Sequence, residues 1–279
     1  MIFAGSKTFL VGEYSVLFGG GAIVLVTTPK FQLKIKNGET QLIGIEKHSP
    51  AHCFYQTRNF DGLSIEFCDP HNGSGGFGAS SAQFAMLYRL HLQLIHKKFD
   101  IDSFLTEYRQ LSNIKNIAPS GADCVAQYFD HSIYFDSKNN TIEKVNWNFP
   151  NLDFMILKTK CKIATHLHLR ELAEFNIDEL QRRTFAVGES FCNIDEAALI
   201  ENVQCFFNLL VKNNLVVDDT IKIVDKLLKI DGIKAAKGCG ALGADTILII
   251  FEKKNEHLMN LISQHLLPVS YHPTDSVTH

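Results

Sequence analysis

From Gly73 to His96 the chain reads GSGGFGASSAQFAMLYRLHLQLIH. Four glycines and three serines fall within the nine residues Gly73 to Ser81, and a stretch that is apolar on nearly every face follows at once. Glycine lets a backbone adopt positive φ and approach a ligand closely. The first turn of a helix leaves N–H groups unpaired and carries partial positive charge. A glycine loop that opens a helix is therefore an anion site, most often for phosphate. Ser74, Ser80 and Ser81 add hydroxyls. The plainer alternative is a loop closed by a serine N-cap.

Two nucleotide motifs compete for this stretch. Gly73, Gly75 and Gly78 fit G-x-G-x-x-G, and LSIEF (Leu63 to Phe67) supplies a strand before it. A dinucleotide fold also needs a second strand ending in an acid roughly 20 residues on. Asp100 has that spacing but follows IHKKF, which is not a buried strand. The phosphate loop G-x-x-x-x-G-K-[ST] is absent from the chain, which argues against an ordinary P-loop ATPase.

The 279 residues are 46% apolar, enough for one large domain or two lobes. A formal net charge of -3 with no long basic run gives nucleic acid no electrostatic support. The opening MIFAGSKTFLVGEYSVLFGG is a poor signal peptide, and no run of 18 apolar residues predicts a membrane span. Seven scattered cysteines without a C-x-x-C read as reduced thiols, so a cytoplasmic protein is expected. His166 and His168, two residues apart, would diverge on a helix and make a poor metal pair.

Along the chain, FLVG predicts a strand, Gly12–Glu13 a turn, and Ala22 to Val26 a second strand. FQLKIKNG alternates as a half-buried strand and ends in the turn pair Asn37–Gly38. Ala79 to Lys97 predicts a buried helix and Asp100 to Leu111 a second. APSGADCVAQYF is a turn entering a short helix; SIYFD and TIEKVNW form a hairpin; DFMILKT is a buried strand. His166 to Leu228 reads mainly as helix, KAAKGCGALGADTILIIF as a glycine loop running into a strand, and NEHLMNLISQHL as a closing helix. The composition shifts near Trp147–Asn151, and the element order argues for α+β.

Four segments, in order, resemble the GHMP kinases, a family of small-molecule kinases. AGSKTFLVGEYSVLFGG (Ala4 to Gly20) is similar to the family's first motif, A-P-G-K-x-x-L-x-G-E-[HY]. GGFGASSA (Gly75 to Ala82) resembles G-L-G-S-S-A, and KGCGALGAD (Lys237 to Asp245) resembles K-x-x-G-A-G-G. APSGAD (Ala118 to Asp123) looks like the segment that carries the catalytic aspartate in mevalonate kinases. The resemblance implies two lobes, 1–150 and 151–279: an N-terminal α/β lobe of the ribosomal protein S5 domain 2-like type and a ferredoxin-like C-terminal lobe. It also implies ATP and Mg2+ as cofactors and a small-molecule partner, with no nucleic acid and no membrane; a homodimer is left open.

By the same resemblance, Gly75, Gly76, Gly78, Ala79, Ser80 and Ser81 bind ATP phosphates, with Ser80 the magnesium contact. Asp123 is the general base and Lys7 its neighbour; Glu13, Tyr14, Thr165, Gly240, Ala241 and Gly243 lie toward the substrate or shape the third loop. Capping is the competing role for Ser80, Asp123 and Thr165, and a tight turn for the third loop. Serine replaces glycine at Ser6, alanine replaces serine at Ala79, and leucine replaces glycine at Leu242. Many mevalonate kinases carry a glutamate eleven residues before the aspartate as a second metal ligand; here that position is Ser112, with Glu107 five residues earlier. Pro119 and the short chain favour mevalonate as acceptor. Tyr14 and Asp245 lean toward phosphomevalonate, whose charge would want the cations Lys7, Lys158, Lys160, Lys162 and Arg170. A non-catalytic nucleotide- or metabolite-binding relative is the alternative of another class.

Overall fold

A computed structural model describes residues 1–112, 118–159, 177–253 and 268–269. The chain divides into two compact units, Met1–Lys7 with Leu25–Ser132, and Thr8–Val24 with Ile133–His279. Strands β1 (Ile2–Val11) and β2 (Gly21–Asn37) contribute residues to both. The mixture of helix and strand is the expected α+β class.

In the first unit, β2 pairs antiparallel with β4 (Leu63–Cys68), Leu33 opposite Phe67. The short β3 (Gln41–Ile43) pairs parallel with β4. Phe31 and Leu33 point into the core and alternate with half-exposed neighbours, as the sequence pattern predicts. The two strands expected on either side of Pro29 are one strand. Pro29 falls between the residues paired with β4 (Gln32–Asn37) and those paired with β5 (Gly21–Val24), so its missing N–H interrupts neither of those two ladders; β1 pairs with β2 as well.

Among the described residues this unit also holds the helices α1 (Pro50–Gln56), α2 (Ala79–Leu94), α3 (Ile101–Ser112) and α4 (Ala122–Phe129). The sequence reading had no counterpart for α1, although Ser49 caps it and Pro50 opens it. Helix α2 is buried along most of its length, as its nearly all-round apolar sequence requires. Its Phe84 and Tyr88 meet Phe54, Phe104 and Tyr108 at ring separations of 4.9–5.5 Å. This aromatic cluster joins α1, α2 and α3, each pair adding about 0.5–1.5 kcal/mol beyond burial. It anchors the helix whose first turn follows the glycine loop.

In the second unit, β5 (Ile133–Asp136) and β6 (Thr141–Lys144) form the expected hairpin, with β5 also paired to the start of β2. A four-stranded antiparallel sheet runs β10–β7–β9–β8, from Pro268–Val269, Leu152–Lys158, Thr246–Glu252 and Ile233–Cys239. Helices α5 (Ile177–Asn193), α6 (Glu196–Lys212) and α7 (Asp218–Leu227) supply the expected helical stretch, with α6 and α7 packed on β8. KAAKGC is strand β8, not part of a loop. Lys237, the first residue of the third motif, is a fully buried, paired side chain. The expected closing helix NEHLMNLISQHL lies outside the described residues.

Candidate active site

Lys7, the last residue of the first unit's share of β1, places its Nζ 3.4 Å from Asp123 Oδ2. The side chains are 15% and 20% exposed, open enough to meet a ligand and covered enough to feel each other. Asp123 sits in the first turn of α4, where the helix's positive end favours a carboxylate. Its other oxygen accepts the Cys124 N–H at 2.9 Å. The N-cap position belongs to Gly121, so capping does not account for Asp123. Arg109 on α3 fixes the turn before it, donating from both Nε and Nη2 to the Ser120 carbonyl. Burial pushes the Cys124 thiol up, with the Asp123 charge adding to the effect, so this cysteine is held as an inert thiol.

The glycine loop is fastened to the same strand. The Lys7 N–H donates to the Phe77 carbonyl at 2.9 Å. Gly78 then turns into α2 with φ +83°, and a Cβ there would lie 2.6 Å from Lys7 Cγ. Only glycine lets the lysine stem cross at that point. Gly78 is also the N-cap, with no side-chain bond, so the serine-cap alternative fails for this helix. The first intrahelical bond is Ala82 N–H to Gly78 O; the N–H groups of Ala79, Ser80 and Ser81 come before it.

The two serines differ. Ser80 is exposed. Ser81 is 2% exposed, and its hydroxyl donates to Gln127 Oε1 at 2.6 Å. Gln127 on α4 in turn donates from Nε2 to the Gly5 carbonyl at 2.8 Å. Sequence reasoning gave Gln127 no role, although a polar residue four positions after Asp123 in a short apolar helix was a visible signal. Ser6 is also placed. Its hydroxyl donates to Pro29 O and meets His71 Nε2, both at 2.6 Å, and the His71 ring stacks on Phe77 at 3.9 Å. One hydroxyl hydrogen cannot serve both, so His71 Nε2 is the donor to Ser6.

The second unit holds a separate charged group. Lys237 is fully buried, and its Nζ lies 2.7 Å from Glu13 Oε1 and 3.3 Å from the Phe9 carbonyl. Burial alone would lower this lysine; the nearby Cys239 sulfur and the Glu13 carboxylate outweigh it and hold the ammonium above its ordinary range. Tyr14 is buried, and its phenol is pushed up by burial first and the Glu13 charge second. The third glycine segment is a tight turn with its own bonds. Gly240 (φ +88°) packs on the Asp245 side chain, the Gly243 N–H donates back to the Gly240 carbonyl at 3.0 Å across a left-handed Leu242, and the Gly243 carbonyl accepts from Thr220 Oγ1. Thr165, Lys160, Lys162, Arg170, His166 and His168 lie outside the described residues.

No protein-family model and no curated protein matches the sequence. The structure does match solved ones. Methanococcus jannaschii mevalonate kinase superposes with a TM-score of 0.76 at 17% identity, over 98% of each chain. Streptococcus pneumoniae phosphomevalonate kinase in complex with phosphomevalonate and AMPPNP gives 0.77 at 14%, over 97% of this chain and 98% of that one. Lactococcus lactis galactokinase complexed with galactose gives 0.70 at 11%, over 94% and 88%. The fold is that of the GHMP kinases.

Within the GHMP kinase fold, this chain's departures acquire physical content. Ser6 is buried and bonded to His71, so the serine is accommodated by a partner. Leu242 keeps a left-handed conformation, φ 50° and ψ 27°, which glycine adopts without strain. Ser112 ends α3 with a hydroxyl where a carboxylate was sought. The Glu107 carboxylate pairs with Arg58. Among the described residues no three His, Cys, Asp or Glu side chains form a metal cage. The exposed Ser80 hydroxyl, in the first turn of α2, is an oxygen donor of the kind magnesium accepts alongside phosphate oxygens and water.

Proposed function

We propose that this chain is an ATP-dependent small-molecule kinase that transfers the γ-phosphoryl group to a hydroxyl, with mevalonate as the acceptor. One observation carries the reading: a lysine–aspartate pair beside a glycine loop that opens a buried helix. The loop and the N–H groups of Ala79, Ser80 and Ser81 bind the phosphates. Magnesium, when bound, neutralises phosphate charge and is held on the protein side by Ser80. Asp123 accepts the proton of the acceptor hydroxyl, and Lys7 stabilises the oxygen anion that results. Transfer then needs positioning and charge neutralisation rather than a covalent intermediate.

The pair favours an alcohol over a phosphate acceptor. An ionised phosphate needs no base and is repelled by a carboxylate. Glu13, Tyr14, Thr165, Gly240 and Ala241 are assigned to the acceptor by the family resemblance alone. Phosphomevalonate is the second reading. Tyr14 and Asp245 favour it, and so does the similarity to a phosphomevalonate kinase at a TM-score of 0.77. An ADP-release assay over mevalonate, phosphomevalonate, homoserine and galactose tests both. Release with mevalonate is expected; release with phosphomevalonate alone selects the second reading, and none with any acceptor removes the kinase proposal.

A further inference from the structure

Gln127 lies on α4 four residues after Asp123, so the two side chains leave the same face of the helix. It is 1% exposed. A buried amide must satisfy both of its ends. Here Nε2 donates to Gly5 O at 2.8 Å and Oε1 accepts from Ser81 Oγ at 2.6 Å. The reverse orientation would set the amide oxygen against the Gly5 carbonyl oxygen, so the chemistry fixes which end points where.

The two partners are not arbitrary. Gly5 lies two residues before Lys7 on β1, and Ser81 lies in the first turn of α2, just past the glycine loop. Gly78 also lies beside the amide: a Cβ there would be 3.1 Å from Gln127 Nε2. One side chain therefore ties together the strand that carries Lys7, the helix that the loop opens and the helix that carries Asp123. Burial alone would be served as well by leucine or methionine. What the glutamine adds is two directional bonds, one to each neighbour.

We propose that Gln127 is a positioning residue that holds Asp123 against Lys7 by pinning α4 to β1 and α2. The term catalytic for that pair rests on the function proposed above; the holding of the pair does not. The test is therefore built to work with or without turnover. The full-length chain is treated with a limiting amount of an N-hydroxysuccinimide acetate, and acetylation of each lysine is followed by mass spectrometry. Acylation requires the amine's lone pair to reach the ester, so the ion pair with Asp123 slows Lys7.

Gln127→Met keeps length and volume and removes both bonds. Lys7 should be acetylated about threefold faster or more in this variant, the low end of what coupled neighbours show. Asp123→Asn should speed Lys7 similarly, and the double variant should be no faster than the faster single one. Lys34, paired with Glu66 away from these bonds, should keep its rate. If Gln127→Met does not fold, Ser81→Ala removes one of the two bonds and carries the same comparison. An unchanged Lys7 rate, or an equal rise at every lysine, overturns the proposal. Where the wild type turns over, kcat should fall in Gln127→Met while KM for ATP holds; an equal loss in both overturns it. A wild type that releases no ADP removes the kinase reading, and the acetylation rates still decide the role of Gln127.

Discussion

Lys237 Nζ lies 2.7 Å from Glu13 Oε1, with the lysine side chain fully buried and the glutamate 12% exposed. An ammonium can be kept at such depth only by a partner that stays charged. Removing one partner should strand the other, at a cost of about 3–5 kcal/mol. Lys237→Met is thus expected to lower the stability measured by urea unfolding strongly. Adding Glu13→Gln to it should recover part of the loss. Full additivity of the two would show that the residues do not act as a pair.

The same pair predicts a pH dependence. The folded-state pKa of Lys237 is raised above its ordinary value of 10.5. Its contribution is then fully present below that value and is lost as pH rises through the folded pKa. Relative to Lys237→Met, the wild type should lose stability faster above pH 10.5, the ordinary value just given. Parallel losses in melting temperature across that range would show that the lysine gains nothing from its burial with Glu13.

Leu242 pays conformational strain in the third loop, at φ 50°. Left-handed backbone costs a side-chain-bearing residue about 1–2 kcal/mol, and a β-branched residue more. Leu242→Gly should fold with equal or greater stability, whereas Leu242→Val should be less stable by about 1 kcal/mol or more. Thermal unfolding of the three proteins decides the point. An unharmed Leu242→Val would mean that the loop relaxes out of this conformation.

Magnesium should be held weakly on the protein side. Ser112 offers no carboxylate and Glu107 is bound to Arg58. Ser80→Ala should raise the magnesium needed for nucleotide binding, and Glu107→Gln should leave it unchanged. Ser112→Glu should lower it, since an added carboxylate is a ligand this ion prefers. Calorimetric titration of a non-hydrolysable ATP analogue at several magnesium concentrations measures all three. A magnesium requirement that rises in Glu107→Gln would return that acid to the metal.

Much of the first unit was legible because its signals are local. The glycine loop, the apolar α2 and the P-S-G turn each carry their pattern within a few residues, and all three appear where expected. The joining of Lys7 to Asp123 was accessible only through resemblance, since no local rule relates residues so far apart in the chain. Ser81 shows the limit of motif reading. Its hydroxyl was expected at a phosphate, but in the fold it is turned inward to Gln127. Gln127, His71 and Lys237 were passed over because a buried polar residue looks like any solvated one until its partner is known. The single strand across Pro29 was missed because a proline within a run of strand-forming residues ordinarily marks a break.

In the proposed reaction Asp123 is the base beside the phosphate loop. Asp123→Asn keeps the side chain's shape and removes its capacity to take a proton. With mevalonate and saturating magnesium–ATP, turnover of this variant should fall by roughly 10²–10⁴, the usual worth of general base catalysis, while the affinity for ATP stays nearly unchanged. An Asp123→Asn enzyme that turns over mevalonate at the wild-type rate would contradict that role.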